Sequence, residues 1–318
     1  MNKIYAYTIA IGNNMWYDKE EIPPQHPDHL YSRLPYRSRY TKDTACFRLL
    51  VDHAKAEGFN TIIINIAEGY CYKSHPEIAL DGAWTEDELK TEIAHIRNIG
   101  MEPVPMLNFS AAHDIWLGRY ERMVGTDTYK KVCLDLIDEV CKLFDSPKYF
   151  HVGMDEENYE SQKYLDFATV RNQITMKRDI ADFFKVIRKN GSTPWIFSDF
   201  YKVSANDFKE VVDKDVLISD MHIRYSNSKN KWPEEFSKLV SDGYKIVPMI
   251  THHYLLRNPS MIINYLKKNV DKNGVAGIVN FPFLFCEDDN KYKLMHEATN
   301  TMKTTKQSRT IQNNRLSS

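Results

Sequence analysis

The chain has 318 residues, 42% of them hydrophobic, which is enough to bury one large core or two smaller ones. Its 42 Lys and Arg residues nearly balance 43 Asp and Glu residues, and this argues against a general attraction to nucleic acid or to anionic membranes. No apolar run approaches the roughly 18 residues that a membrane-spanning helix needs.

Residues 1–12, MNKIYAYTIAIG, contain a short apolar stretch that two Tyr and one Thr interrupt. No convincing signal-peptidase site follows, so we interpret these residues as a first strand rather than a signal peptide. This interpretation predicts a cytoplasmic protein, or a secreted or periplasmic one if a signal has been removed. The five cysteines, an odd number without a CxxC pair, are typical of reduced and mostly buried thiols.

Short apolar segments alternate with segments of helical periodicity along most of the chain. The predicted strands cover residues 3–11, 60–69, 101–108, 148–154, 193–199, 215–223, 244–250 and 274–281. The predicted helices cover about 43–57, 85–100, 126–144, 172–190, 204–213, 232–243, 259–271 and 289–301. The second helix has the clearest boundaries, because Thr85 and Glu88 form a capping-box pattern and Gly100 follows its last turn.

Short apolar strands that alternate with helices are the signature of parallel βαβ units. Eight such units in about 280 residues predict an α/β fold, a (β/α)8 TIM barrel, in a single domain over residues 1–302. A long Pro- and Tyr-rich loop, residues 13–41, is a candidate lid, and the polar residues 303–318 are predicted to form a disordered tail. An open doubly wound sheet is the alternative, but no GxGxxG or P-loop motif supports its nucleotide-binding form.

The active sites of TIM barrels lie at the C-terminal ends of the strands. Acids, imidazoles and aromatic side chains gather at those ends of the predicted strands, and no comparable set follows the helices. The candidates are Trp16, Glu68, Tyr70, Asn108, His113, Trp116, His151, Asp155, Glu156, Glu157, Asp199, His222, Tyr225, His252, His253, Tyr254, Asn280 and Glu287.

Three acids, Asp155, Glu156 and Glu157, follow the fourth strand in the stretch YFHVGMDEEN. Period-two alternation along the strand would point Asp155 to the barrel axis and leave Glu156 at the strand's exit. One carboxylate can then stay ionised, while the other, partly desolvated, acts as a general acid. Glycoside cleavage needs such an acid, because the glycosidic oxygen is a poor leaving group until it is protonated. The simpler explanation is that acids favour the first turn of a helix.

The stretch HVGMDEE, residues 151–157, resembles the H-x-G-G-D-E motif of the family 20 β-N-acetylhexosaminidases, which are TIM barrels carrying that motif after strand 4. Three further segments match in the same order. VPMLNFSAAHD (104–114) is similar to the family's third-strand segment, TPWIFSDF (193–200) resembles its fifth-strand Trp-x-x-Asp segment, and GIVNFPFLFCED (277–288) has the position of its eighth-strand motif without the Trp. The resemblance covers most of the predicted barrel.

The resemblance implies a retaining exo-glycosidase that acts on terminal β-linked N-acetylhexosamine, or a related sugar, without a metal or organic cofactor. Glu156 would be the general acid/base, and Asp155 would orient the substrate's 2-acetamido group, whose oxygen attacks the anomeric carbon to give an oxazolinium intermediate. Tyr225 or Tyr254 would hydrogen-bond the acetamido oxygen, and His113 matches a His near the acid. The other substrate-binding candidates are Asn108, Trp116, His151, Asp199 and Glu287.

The sequence also departs from the family's pattern. Met154 replaces the second Gly of the motif, and Asn108 replaces the third-strand Asp. No Arg directly follows the first strand, where the family binds the terminal sugar, although the first loop contains Arg33, Arg37 and Arg39. These differences bear on the identity of the substrate more than on the class of reaction, and the sequence does not give the glycan, the linkage or the oligomeric state.

Two other functions are compatible with the same residues. One is a metal-dependent hydrolase or sugar isomerase of the barrel type, although no HxH follows the first strand. Its ligands would come from Glu68, His151, Asp155, Asp199, His222 and His252. The other is a sugar-binding barrel without catalytic activity. Individual candidates also have plainer explanations, since Asp199 could cap the next helix and Trp116 could pack in the core.

Overall fold

The computed structural model describes residues 3–21, 34–220, 234–252 and 258–316, and the side chains of residue 258 and of residues 307–316 lie outside the description. Within these ranges the chain forms one parallel β-sheet surrounded by helices. The strands are Ile4–Ala10 (β1), Thr61–Asn65 (β2), Glu102–Met106 (β3), Tyr149–His151 (β4), Thr193–Phe197 (β5), Leu217–Ser219 (β6), Lys245–Ile246 (β7), Met249–Ile250 (β8) and Gly277–Asn280 (β9).

The sheet closes into a barrel, as the alternation of strands and helices predicts. β1 lies between β2 and β9, with Thr8 opposite Ile63 and Ala6 opposite Val279. β7 pairs with β6 and β8 pairs with β9, so β7 and β8 are two halves of one barrel strand. Pro248, which has no backbone N–H to donate, lies between the halves and explains the interruption. The prediction of a TIM barrel is confirmed.

Helices follow the strands and cover the outside of the barrel. They are Thr44–Glu57 (α1), Glu86–Asn98 (α2), Asp127–Leu143 (α3), Tyr159–Gln162 (α4), Gln173–Lys189 (α5), Asp199–Val203 (α6), Ala205–Val211 (α7), Glu234–Ser241 (α8), Asn258–Asn269 (α9) and Lys291–Leu316 (α10). The capping box is confirmed at the start of α2, where the Thr85 side chain accepts from the Glu88 N–H and the Glu88 carboxylate accepts from the Thr85 N–H. None of the described helices is long and apolar enough to cross a membrane.

The core follows from the near-continuous apolar strands. Ile62, Ile63 and Ile64 of β2 are all buried although their side chains alternate between the two faces of the sheet, as expected for a strand covered on both sides. One face fills the barrel, and the other packs under the helices. The described cysteines are free thiols, four buried and Cys71 exposed.

Several elements differ in their bounds from the sequence-based prediction, and two of these differences involve the site and the C-terminal segment. The fourth strand was predicted through residue 154 but ends at His151, because Gly153 and Met154 have positive φ angles of 70° and 68°. At the other end of the chain, α10 continues past residue 302 into the segment assigned to a tail. There Thr305 is buried, and the Lys306 side chain donates to the Glu57 carbonyl at 2.8 Å.

Candidate active site

The exits of β3 and β4 bring Asp155, Glu156 and His113 together at the C-terminal end of the barrel. His113 Nε2 lies 3.5 Å from Asp155 Oδ2 and 3.4 Å from Glu156 Oε2. The other ring nitrogen, Nδ1, lies 3.2 Å from the Met15 carbonyl. Because both ring nitrogens face acceptors, the geometry favours the doubly protonated imidazolium.

The charged groups of this cluster shift one another's pKa values. Burial alone would lower the pKa of His113, but Asp155 and Glu156 outweigh it and hold that pKa well above its ordinary value. Burial alone would raise the pKa of Asp155, but the His113 charge and the hydrogen bonds of His113 and Asn108 lower it instead. Asp155 is therefore an ionised carboxylate although it is only 5% exposed. The Glu156 side chain reaches the surface and is 22% exposed.

A strained turn presents these two carboxylates. Gly153, Met154 and Glu156 all have positive φ, and Met154 and Glu156 are residue types that rarely adopt it. A Cβ on Gly153 would lie 1.9 Å from Asn108 Oδ1, so only Gly permits this approach. Met154 occupies the position where the resembling family has a second Gly, and its φ of 68° is a conformation that favours Gly. Such strain is typical of functional sites.

Asn108 holds this turn from the exit of β3. Its Nδ2 donates to Asp155 Oδ1 at 2.9 Å, and its Oδ1 accepts from the backbone of Met154 at 3.2 Å and of Ser110 at 3.1 Å. The Ser110 hydroxyl donates to the Asp155 carbonyl. The Asp155 carboxylate is therefore held at Oδ1 by an amide and at Oδ2 by an imidazolium, which fixes its orientation while keeping its charge.

The third acid of the cluster has a different environment. Glu157 is buried against Arg171, whose guanidinium also lies 3.0 Å from Asp179 of α5. The Ala111 N–H donates to Glu157 at 2.8 Å. Glu157 therefore ties the loop after β4 to the loop after β3 and to α5. Sequence spacing alone did not reveal Arg171 as its partner.

A narrow cavity lies over Asp155 and has a volume of about 20 Å³. Its walls come from seven strands and the loops that follow them, and they are mostly apolar. The lining residues are Met15, Trp16, Asn65, Met106, Asn108, His113, Asp155, Phe197, Met249, Phe281 and Phe283. A volume of this size holds about one water molecule. The connections that leave β1, β6 and β8 include residues 22–33, 221–233 and 253–257, which lie outside the described residues.

Two predicted substrate-binding residues are buried beside this cavity rather than in its wall. The Trp116 indole N–H donates to the Asn108 carbonyl at 3.0 Å, and the ring is 2% exposed. His151 packs on Trp195 and Phe197, and its Nδ1 accepts from the Gly153 N–H at 3.0 Å. Burial lowers the pKa of His151 to about 3, so its ring is neutral. Both residues support the turn that carries Asp155.

The remaining candidates that the structure describes do not line the cavity. Asp199 is half-buried at the start of α6, and burial raises its pKa to about 6 while Lys202 opposes the rise. Glu287 accepts both ends of the Arg37 guanidinium, at 2.8 and 3.2 Å, and Arg37 stacks over Phe285. Tyr225 and Tyr254 lie outside the described residues, as do Arg33, His222 and His253.

The metal site of the alternative function has no counterpart in the described part of the chain. There, no three His, Cys, Asp or Glu side chains converge as a metal ion would require. Glu68 and Asp199 lie at the exits of different strands, and Glu68 accepts from the backbone of Asn13 at 2.6 Å and of Asn14 at 3.1 Å. Phe281 and Phe283, which line the cavity, were not among the predicted site residues, although the run FPFLF begins at the end of the eighth predicted strand and was a signal for them.

Comparison with known proteins places this arrangement in a structural context. No family model and no curated protein matches the chain. The β-N-acetylhexosaminidase from Bacteroides fragilis NCTC 9343 superimposes with a TM-score of 0.62 at 14% identity, over 94% of this chain and 65% of that one. A structure of the tandem GH20 catalytic modules of the pneumococcal exo-β-D-N-acetylglucosaminidase StrH gives 0.60 at 14% identity, over 95% and 84%.

Dispersin B is similar along nearly its whole length, with a TM-score of 0.61 at 12% identity over 95% of this chain and 98% of that one. The chain thus spans about two thirds of the Bacteroides enzyme but almost all of dispersin B. Identities this low establish a shared fold and leave the activity to be argued from the site. The chain has the TIM-barrel fold of the hexosaminidases to which it is structurally similar.

Proposed function

We propose that this protein is a retaining β-N-acetylhexosaminidase, or hydrolyses a closely related terminal amino sugar, by a substrate-assisted mechanism. The observation that carries the proposal is the contact of one buried imidazolium, His113, with two adjacent carboxylates at the mouth of a TIM barrel. The structural similarity to several hexosaminidases supports it independently. The roles of the individual residues follow from their environments.

Glu156 is the general acid and base of the proposed reaction. Its carboxyl group is partly exposed to solvent on the other side of His113 Nε2 from Asp155, so it can protonate the departing oxygen and later take a proton from water. Asp155 is unsuited to that role, because its lowered pKa keeps it ionised. A fixed negative charge instead suits a group that orients the N–H of the 2-acetamido group and stabilises the positive charge of the oxazolinium ring.

His113 acts on the reaction through the two carboxylates. Its imidazolium balances part of their charge and keeps them about 3.5 Å from a common nitrogen. Without it, burial would raise the pKa of Asp155 and that carboxylate would lose the charge this proposal needs. His113 is therefore a positioning residue in this proposal.

The terminal sugar would be bound by residues from the first and last loops. Arg37 and Glu287 form a bidentate pair at this end of the barrel, with Arg37 over the Phe285 ring. Both side chains remain partly exposed, at 33% and 20%, and offer donors and acceptors for sugar hydroxyls. Arg37 thus supplies the positive charge that the sequence lacks directly after β1. Tyr225 and Tyr254 remain the candidates for the acetamido oxygen.

A pyranose is much larger than the cavity of about 20 Å³ over Asp155. Substrate binding in this proposal therefore requires the cavity wall to move. The segment with Met15 and Trp16 is the part of that wall that belongs to the candidate lid, and Trp16 packs edge-on against His113 and Phe283. Displacing Trp16 would open the cavity and leave an aromatic face beside the sugar.

The test is hydrolysis of 4-nitrophenyl N-acetyl-β-glucosaminide by the wild-type protein and by Glu156→Gln. We expect release of 4-nitrophenol by the wild type and a loss of about 100-fold or more in kcat for the variant. Glu160→Gln is the matched control, because Glu160 is exposed and pairs only with Lys163 among the described residues. A wild-type protein that binds the sugar without turnover would instead support the sugar-binding barrel without activity.

A further inference from the structure

The segment directly after β1, residues 13–16, contacts several parts of the proposed site. The Met15 carbonyl lies 3.2 Å from Nδ1 of His113. The Trp16 ring packs against the Phe285 ring, with 6.1 Å between the ring centroids. Both Met15 and Trp16 belong to the cavity wall. The groups that fix this short segment therefore fix the surroundings of the imidazolium and the wall together.

Asn14 joins this segment to a later part of the first loop. Its Nδ2 donates to the Arg37 carbonyl, and its Oδ1 accepts from the Arg37 N–H, both at 2.8 Å. The amide thus bonds both backbone groups of one residue, as a neighbouring strand would. Arg37 in turn places its guanidinium on Glu287 and 4.6 Å from the centre of the Phe285 ring. The backbone of Arg37 is therefore held by a side chain that is itself buried.

Glu68, which follows β2, holds Asn14 in turn. Glu68 Oε1 accepts from the backbone N–H of Asn13 at 2.6 Å and from that of Asn14 at 3.1 Å. Glu68 is buried, and in the described part of the chain its Oε2 has no hydrogen-bond partner. A buried carboxyl group with one unsatisfied oxygen lowers stability, so packing alone does not account for an acid at this position.

The backbones that follow β1 and β2 approach each other closely. A Cβ on Gly12 would lie 2.3 Å from Ala67 Cβ, and a Cβ on Gly69 would lie 2.8 Å from the Ile11 carbonyl oxygen. Glycine at both positions permits this approach. Glu68 lies between Ala67 and Gly69 in the chain, so its carboxyl group reaches the segment from a backbone position that the close contact fixes.

Sugar binding in the proposed function requires one part of this region to move and another to stay. The cavity opens by displacement of Trp16, while Arg37 has to remain beside Glu287 to bind sugar hydroxyls. Trp16 is only two residues from Asn14, so without an anchor its displacement would shift Arg37 as well. The hydrogen bonds of Asn14 to Glu68 and to Arg37 lie where such an anchor is needed.

We propose that Asn14 and Glu68 are positioning residues for the binding of the terminal sugar, an inference that rests on the proposed glycosidase function. Asn14 fixes the backbone of Arg37, and Glu68 fixes that of Asn14. Arg37 then keeps its contact with Glu287 when Trp16 is displaced. Both positioning residues act on the sugar through Arg37, since a binding group is placed accurately only when buried hydrogen bonds support it.

NMR titration with N-acetylglucosamine tests this role without relying on turnover. Asn14→Leu keeps the approximate size of the side chain and removes both bonds to Arg37. Asn60→Leu is the matched control, because Asn60 makes the same pair of bonds at the other rim of the barrel. It accepts from the Tyr5 N–H at 2.9 Å and donates to the Lys3 carbonyl at 2.8 Å. Urea unfolding of both variants should show a loss of stability, and only Asn14→Leu should affect the sugar.

We expect the Kd for N-acetylglucosamine to rise about tenfold in Asn14→Leu and to stay within about twofold of the wild-type value in Asn60→Leu. The kcat for the aryl glycoside should change less than the Kd, because Asn14 acts on binding rather than on the acid. In an Arg37→Met background, Asn14→Leu should have no further effect on the Kd, because its effect passes through Arg37.

Glu68 offers a conservative and a non-conservative variant. Glu68→Gln keeps an oxygen that can accept from Asn13 and Asn14, whereas Glu68→Met has a similar size and no such acceptor. The Kd should stay within about threefold in Glu68→Gln and rise about tenfold in Glu68→Met. This pair decides the question even if Asn14→Leu fails to fold.

The outcomes separate the positioning role from the chemistry. Equal losses of affinity in Asn14→Leu and Asn60→Leu, in Glu68→Gln and Glu68→Met, or a further loss in the Arg37→Met background would overturn the positioning role and leave the glycosidase function intact. Sugar binding that changes as expected without turnover of the aryl glycoside would support the positioning role and refute the hydrolysis. A protein that neither binds nor hydrolyses the sugar would end both proposals.

Discussion

The exits of β4 and β2 each carry a buried carboxyl group, and the two groups have opposite protonation behaviour. Asp155 is 5% exposed and Glu68 is 1% exposed. The pKa of Asp155 is lowered, while burial raises the pKa of Glu68 to about 7 although the N–H groups of Asn13 and Asn14 oppose the rise. The difference lies in the partner, since Asp155 faces the charged ring of His113 and Glu68 faces backbone amides.

This comparison shows what makes a buried acid useful for catalysis. Burial by itself favours the protonated form of a carboxyl group, and at Glu68 it raises the pKa to about 7. A titratable cation beside it keeps Asp155 ionised and gives the site a charge that can stabilise a cationic intermediate. A substitution that alters the charge, the proton-binding group or the backbone at one of these exits leaves the other exit as a reference.

Asp155→Asn removes the charge that distinguishes the two exits and should have the largest effect. We expect kcat for 4-nitrophenyl N-acetyl-β-glucosaminide to fall by about 100-fold or more, because the oxazolinium of the proposed mechanism would lose its counter-charge. Substrates without the 2-acetamido group should be affected less. Steady-state kinetics on the glucosaminide and on the matching glucoside measure the difference.

The same variant has a spectroscopic readout. With one carboxylate fewer, burial should lower the pKa of His113 toward or below its ordinary value, and NMR titration of the ring would detect the change. Equal losses on both glycosides, together with an unchanged His113 titration, would contradict the role given to Asp155.

Glu68→Gln tests the buried carboxyl group at the exit of β2. A carboxyl group whose pKa is higher in the folded state binds its proton more tightly there, so its contribution to stability is lost as the pH rises from 4.5 through about 7. The free energy of unfolding should therefore fall by roughly 3 kcal/mol over this range through Glu68 alone. The Gln variant should lose this dependence, and urea unfolding at pH 5 and pH 8 measures it.

Part of the pH dependence of the unfolding free energy should remain in the variant, because burial also raises the pKa of Asp114 to about 7. Glu234→Gln, at an exposed position in the first turn of α8, should show the same pH dependence of the unfolding free energy as the wild type. If the unfolding free energies of the wild type and of Glu68→Gln change equally with pH, then Glu68 is not the buried group that binds the proton.

Much of this architecture could be predicted from the sequence, because it depends on local signals. Apolar runs located the strands, and caps such as Thr85 located the helices. The cluster of Asp155, Glu156 and His113 followed from the rule that strand ends meet at one rim of the barrel. These signals need only the residue types and their order.

The parts that could not be predicted depend on long-range contacts or on backbone angles. The pairing of Arg37 with Glu287 spans 250 positions, and no sequence pattern connects them. The early end of β4 depends on positive φ angles at Gly153 and Met154, and Met is a poor indicator of that conformation. Asp199 is a substrate-binding candidate by its place after the fifth strand, but it lies at the start of α6 and does not line the cavity over Asp155, which only the three-dimensional structure reveals.

Gly153→Ala tests the strained turn at the charged exit. The new Cβ would meet Asn108 Oδ1 at 1.9 Å in a backbone conformation with φ of 70°. We expect the free energy of unfolding to fall by about 2 kcal/mol or more, and activity to fall with it because Asn108 must leave Asp155. Urea unfolding and hydrolysis of the aryl glycoside measure the two effects.

Gly191→Ala is a matched control for that variant. Gly191 has a φ of 79°, but the nearest atom to its Cβ would be 3.9 Å away. It should therefore show only the conformational cost of a left-handed backbone, about 1 to 2 kcal/mol, and keep full activity. If both variants lose the same stability and neither loses activity, the contact with Asn108 is not what requires Gly at position 153.

Ser110→Ala should have the smallest effect and probes how tightly the charged exit is fixed. The Ser110 hydroxyl donates to the Asp155 carbonyl and accepts from the Ala112 N–H at 3.2 Å. Its loss leaves a buried carbonyl short of a donor, which costs about 1 kcal/mol of unfolding free energy. The Asp155 carboxylate keeps Asn108 and His113, so kcat should fall less than about tenfold on both glycosides. A loss as large as that of Asp155→Asn would mean that the backbone of the turn, rather than the partner charge, decides the difference between the two exits.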